Sequence, residues 1–255
     1  MMKKKFKLNP LVLLAVAAVL LVGSTVGSTQ AALTYYSENY MAEVTVSNIG
    51  TTLLENDEVV SYRNYLEDDK WDVKGGELLT KLLAEGEKMT LGKSYEERLS
   101  VKNSGAIDTY VRVILTKSWQ HDKDEDGAYE KDTTLSPELI ELNLLTGENG
   151  WVKDDKASTK ERTVLYYANI LKVDEETPDF SDTLKIDPSV GTKVIKTEKT
   201  DADGKTIVYT YEYDGYKFVV EAEADAVQTH NAADAIKSAW GVDVTVADDG
   251  SLSLN

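Results

Sequence analysis

The residues best spaced for chemistry are Asp122, Asp124 and Asp126, followed by Gly127. Carboxylates at alternate positions ahead of a sharp glycine turn set out the first oxygens of a calcium loop, to which Ala128 adds a carbonyl and Glu130 a carboxylate or a bridging water. The pattern departs from that template at Thr133, where a bidentate glutamate should close the loop, and no strong helical pattern flanks it. Two readings stand side by side: a weak extracellular calcium site, and a solvated acidic turn. Calcium is the one cofactor that these residues suggest.

Other chemistries lack their parts. The two histidines, His121 and His230, do not form the His-Glu-x-x-His spacing that puts two zinc ligands on one helix face. The chain has no cysteine, which removes disulfides, thiolate nucleophiles and cysteine-bound zinc together. Gly92-Lys93-Ser94 imitates the end of a phosphate-binding loop, but the earlier glycine it needs falls at Glu87. No nucleophile elbow or dinucleotide fingerprint is present. Carboxylates are too abundant for spacing alone to pick out a glycosidase pair. No catalytic residue is assigned.

The elements that would position these residues are mainly strands. Residues 216–227 alternate with period two: Tyr216, Phe218, Val220, Ala222, Ala224 and Ala226 take one face and Lys217, Glu221, Glu223 and Asp225 the other. Residues 110–119 put Val111, Val113, Leu115 and Trp119 opposite Arg112, Thr116 and Ser118, and residues 162–171 and 42–49 alternate more weakly. Turn residues punctuate them at Asn103-Ser104-Gly105, Asp203-Gly204 and Asp214-Gly215, the second of which predicts a hairpin between residues 190–200 and 206–213. Helices are predicted over 77–85, with Leu78, Leu79, Leu82 and Leu83 as a stripe, and over 232–240, with Asn231 as cap and Gly241 as stop. Many short strands and few helices predict one mainly β domain, an antiparallel jelly-roll-like β-sandwich. Residues 120–160, rich in Asp, Lys and Gly, read as a long insertion between strands in which 135–145 forms a strand of its own.

The N-terminus reads as an address. Lys3, Lys4, Lys5 and Lys7 precede an unbroken apolar run over 11–22, and Thr29-Gln30-Ala31 offers small residues to a signal peptidase, with cleavage between Ala31 and Ala32. The alternative is an uncleaved anchor, but the run is shorter than the roughly 20 residues a spanning helix needs. Cleavage takes the four lysines away and moves the formal charge from −17 to −21. Such a field repels phosphate backbones and anionic headgroups, so neither nucleic acid nor, after cleavage, membrane is an expected partner. The C-terminus, Ser251-Leu252-Ser253-Leu254-Asn255, shows no apolar tail or basic stop for wall sorting. The expected location is extracellular, secreted or held non-covalently at the cell surface.

Three stretches carry a resemblance: Gly27-Ser28-Thr29-Gln30-Ala31 with Leu33-Thr34-Tyr35-Tyr36-Ser37, residues 221–240, and above all Val101-Lys102-Asn103-Ser104-Gly105-Ala106-Ile107-Asp108-Thr109-Tyr110-Val111-Arg112-Val113. Together they resemble the TasA and camelysin family of Gram-positive secreted proteins. The resemblance implies a jelly-roll sandwich, processing by a SipW-type signal peptidase and assembly into biofilm matrix fibres, in which the freed N-terminal strand of one subunit completes the sheet of the next. Here that strand is residues 32–40, with Leu33, Tyr35 and Tyr36 filling pockets; an ordinary first strand in its own sheet fits the same residues. Camelysin-like members imply a secreted metalloendopeptidase instead, and a monomeric surface binding module is a third reading.

Overall fold

The computed structural model describes residues 48–66, 70–122, 129–133, 135–201, 204–211, 213 and 215–255. The described residues open on a hairpin, β1 (Gly50–Glu55) and β2 (Glu58–Tyr65), turned by Asn56 and Asp57 at φ 50° and 68°. Two successive left-handed residues give a turn whose twist matches that of the strands, and Asn and Asp tolerate that conformation better than most. There follow β3 (Trp71–Lys74), β4 (Ser94–Asn103), β5 (Thr109–Asp122), β6 (Tyr129–Asp132), β7 (Ile140–Leu144), β8 (Trp151–Lys153), β9 (Arg162–Tyr167) and β10 (Ser181–Ile186). The chain then runs through β11 (Val194–Asp201), β12 (Gly204–Tyr211), β13 (Tyr216–Gln228), helix α1 (Ala232–Trp240), β14 (Val244–Val246) and β15 (Leu252–Leu254).

Two antiparallel sheets make the body. The first has the order β3-β2-β1-β4-β10-β7; the second has the order β13-β5-β9-β8, with β6 pairing the end of β5. The chain changes sheet from β4 to β5, from β6 to β7, from β7 to β8 and from β9 to β10, which is the jelly-roll-like winding of a sandwich. Period two explains the core: Leu53, Leu99 and Val101 from one sheet face Val111, Val113, Leu115, Trp151 and Leu165 from the other. A second cluster lies on the outer face of the second sheet, where α1 and the β14–β15 hairpin cover Tyr110, Val164, Tyr166 and Val227.

The helix predicted over 77–85 is instead a series of turns. Leu79 sits at φ 67°, outside helical geometry, and its N–H donates to Glu55 Oε1 at 2.6 Å. The leucine stripe is still used, because Leu78, Leu79 and Leu82 pack against the core cluster around Trp119 and Ile140. The helix over 232–240 forms where expected and Gly241, at φ 71°, stops it, but Asn231 precedes it in a left-handed conformation and makes no side-chain cap. Residues 120–160 carry β6, β7 and β8; β7, entered through a short 3-10 turn at Pro137–Leu139, edges the first sheet and β8 the second. The hairpin expected over 190–213 is the two-stranded ribbon β11–β12. Of the strand expected over 42–49, residues 42–47 lie outside the described residues.

Candidate functional site

The calcium-loop residues belong to one hairpin. Asp122 ends β5 opposite Tyr129, and Glu130 on β6 lies opposite His121; Asp124, Asp126 and Ala128 lie outside the described residues, as do Ala31, Ala32, Leu33, Tyr35 and Tyr36. His121 packs its ring 5.4 Å from that of Tyr216 at the start of β13, whereas His230 follows the end of that strand. The 13 residues of β13 hold the two histidines roughly 40 Å apart, too far to share a metal. Among the described residues no three His, Asp or Glu side chains gather where they could hold an ion.

The structure draws attention elsewhere, to the outer edge of β13. That strand pairs β5 over its whole length without a break in register, from Tyr216 with His121 to Gln228 with Thr109, and no described strand pairs its other side. In an antiparallel pair, alternate residues turn both their N–H and C=O away from the partner. The Ala224 carbonyl accepts from Thr51 Oγ1 at 3.2 Å, so Ala224 belongs to the set pointing away from β5, and with it Val220 and Ala222. A row of backbone donors and acceptors is thus left for a further strand.

There is room for one. The first sheet extends past this edge by β2 and β3, whose inner-face residues have no second sheet above them among the described residues. Register places Thr51, Arg63 and Val73 side by side, and Tyr65 beside Trp71, on the face that carries buried Leu53. Val73 is 60% exposed and Trp71 47%, so this face is uncovered. Tyr65 meets Trp71 edge-on at 5.1 Å and the Arg63 guanidinium lies 4.4 Å over the Trp71 ring, which holds the aromatic platform rigid. Three concavities follow the edge in turn, from Phe218 to Ala222, along Ala222 to Asp225, and from Ala224 to Ala226; the first, walled by Gly76, Glu77, Leu78 and Leu79, is a cavity of about 540 Å³.

The cause is legible in β13 itself. Its inward positions carry Phe218 and Val220 at one end but Ala222, Ala224 and Ala226 at the other, and alanines are too short to fill the space over β2. On the opposite face Asp225 accepts from Arg112 Nε at 3.1 Å, and Trp240 lies 5.2 Å from that guanidinium, so the strand is anchored from behind while its front edge stays open. Alternation alone assigns the alanines to the core; three small residues in succession on a buried face were the signal that the face is not filled. No protein family, curated protein or solved structure matches the chain.

Proposed function

We propose that the protein is a secreted structural subunit of an extracellular matrix fibre, assembled by strand addition, with the N-terminal strand of one copy pairing with β13 of the next. The observation that carries this reading is the edge of β13 that no described strand pairs, beside the exposed inner face of β2 and β3. A strand laid there gains main-chain hydrogen bonds from Val220, Ala222 and Ala224, and buries alternate side chains on the Trp71, Val73 and Arg63 platform. Residues 32–40 suit that role: Leu33 and Tyr35 share one face and Tyr36 takes the other. The export signal, the resemblance to TasA-like proteins and the absence of a catalytic motif in the sequence support the same reading.

The test is Ala222→Pro in the chain beginning at Ala32. Proline at an edge position whose N–H points away from the neighbouring strand leaves the β5 pairing in place but removes the donor and adds bulk on the docking side. Filaments from the unsubstituted chain by negative-stain microscopy, and monomers with unchanged circular dichroism from the variant, are the expected result. Filaments that form equally well from the variant, or an unsubstituted chain that stays monomeric in every buffer, sink the proposal.

A further inference from the structure

The end of the groove near Phe218 is walled by a loop held in an unusual way. Glu55, the last residue of β1, is 8% exposed, and Glu97, on β4, is fully buried on the same inner face. Glu55 Oε1 takes the N–H of Leu79, which fixes the turn carrying Gly76, Glu77 and Leu78, the residues that wall the groove. Neither oxygen of Glu97 meets a hydrogen-bond donor, although its carboxyl faces that of Glu55. Two ionised carboxylates repel and cannot bond to each other; a proton on one lets it donate to the other and relieves both the repulsion and the unmet burial.

We propose that Glu97 holds a proton inside the sandwich, facing Glu55, and that this proton latches the 76–79 turn over the end of the strand-accepting groove. With the proton in place, the pair carries a single negative charge and Glu55 accepts from Leu79. Loss of the proton puts a second negative charge in a buried site, and the cheapest relief is to open the turn and admit water. The charged groups on the surrounding elements do not substitute for the proton. From β2, Glu58 pairs with Lys81 of the loop at the surface. From β4, Arg98 turns to Asp57 and Glu96, and Tyr95 Oη accepts from Thr90. From β10, Ser181 Oγ donates to the Glu97 main-chain carbonyl rather than to its carboxyl, and Lys185 pairs with Glu141. In the facing sheet, Lys117 donates to the Ile140 carbonyl. Lys217, with its amine over the Tyr129 ring, and Glu221 stand on β13, and Glu77 on the loop. Burial first, and Glu55 second, push Glu97 up to about 9, and no cation among these groups lowers it.

The latch rests on the strand-accepting reading for its purpose but not for its test. Amide hydrogen exchange of residues 76–82 is followed in the full chain from pH 6 to pH 10, corrected for intrinsic rates, in the wild type and in Glu97→Gln, where the amide imitates the protonated acid. The expected result is a loss of protection at Leu79 of up to about tenfold per pH unit as pH rises towards about 9, levelling off above it, in the wild type, and a flat profile in the variant. Flat protection in both proteins, or an equal fall in both, overturns the latch; Glu55→Gln serves as the second variant if Glu97→Gln does not fold. A peptide of residues 32–40, titrated separately at pH 7, reports on the groove: titrating protection without peptide binding leaves the latch standing and removes the strand-accepting reading, whereas binding with flat protection does the reverse.

Discussion

Asn103 is buried, and it spends every polar atom on the chain around it. Its Nδ2 donates to the carbonyls of Ile107 and Leu171 at 2.8 and 3.0 Å, and its Oδ1 accepts from the Gly105 N–H at 3.0 Å. Gly105 is required by contact rather than by conformation, since a Cβ there would stand 2.5 Å from the Asn48 carbonyl oxygen. Asp108 accepts from the Val173 N–H, and Tyr110 Oη donates to the Gly250 carbonyl. The motif that stood out most in the sequence is therefore a stitch that carries the chain from the first sheet to the second. Asn103→Ala removes three side-chain hydrogen bonds and leaves the Ile107 carbonyl and the Gly105 N–H without those partners, while the Leu171 carbonyl keeps the Thr109 N–H, and urea unfolding should show a loss of about 2–4 kcal/mol. Glu97 gives the complementary prediction. Its folded value is raised from 4.5 to about 9, so below 4.5 both folded and unfolded chains hold the proton and its burial carries no titration penalty. Between those values the unfolded chain is ionised while the folded one is not, so stability falls as pH rises, and it levels off above the folded value. Glu97→Gln should match the wild type in thermal midpoint near pH 5 and exceed it by a margin that grows towards pH 9; a constant margin removes the titration from the argument.

At the scale of elements, α1 shows how much one short helix can matter. It brings Ile236, fully buried, and Ala232 against Val227 of β13 and Tyr166 of β9, and with β14–β15 it closes a cluster on the outer face of the second sheet. Ile236→Ala removes a packed side chain from a site walled by strands on one side and a helix on the other, and should lower the unfolding free energy by about 2–4 kcal/mol in a denaturant titration. The elements themselves were legible where one face is apolar and the other charged: β13 and β5 follow the period-two pattern almost residue for residue, and α1 sits between its expected cap and stop. Legibility failed where long-range contact decides. The Leu78, Leu79 and Leu82 stripe has helical spacing, but Gly75 and Gly76 before it, Gly86 after it and the pull of Glu55 on the Leu79 N–H favour turns. The open edge of β13 was not legible from its own sequence, because an unpaired edge is a property of which strands neighbour it and not of its residues. The alanines signalled a thinly filled face; which of the described strands would leave the edge beside it open was not visible.

At the scale of the molecule, assembly must work against charge. The chain without its first 31 residues carries a formal −21, so copies approaching end to end repel before any strand can pair. The range of that repulsion is about 30 Å in 10 mM salt and about 8 Å in 150 mM salt, where it fades before short-range pairing begins. The contacts the groove offers a strand are backbone groups, alanines and an aromatic platform, none of which weakens much as salt rises. Association through β13 should therefore increase with salt. Sedimentation velocity of the chain beginning at Ala32 is expected to show mostly monomer in 10 mM sodium chloride and a larger assembled fraction in 150 mM, while Ala222→Pro stays monomeric in both. Assemblies that dissolve as salt is raised would mean that the copies are held by opposite charges, a role Lys196 on the β11–β12 ribbon could fill against the acidic surface, and would move the contact away from β13.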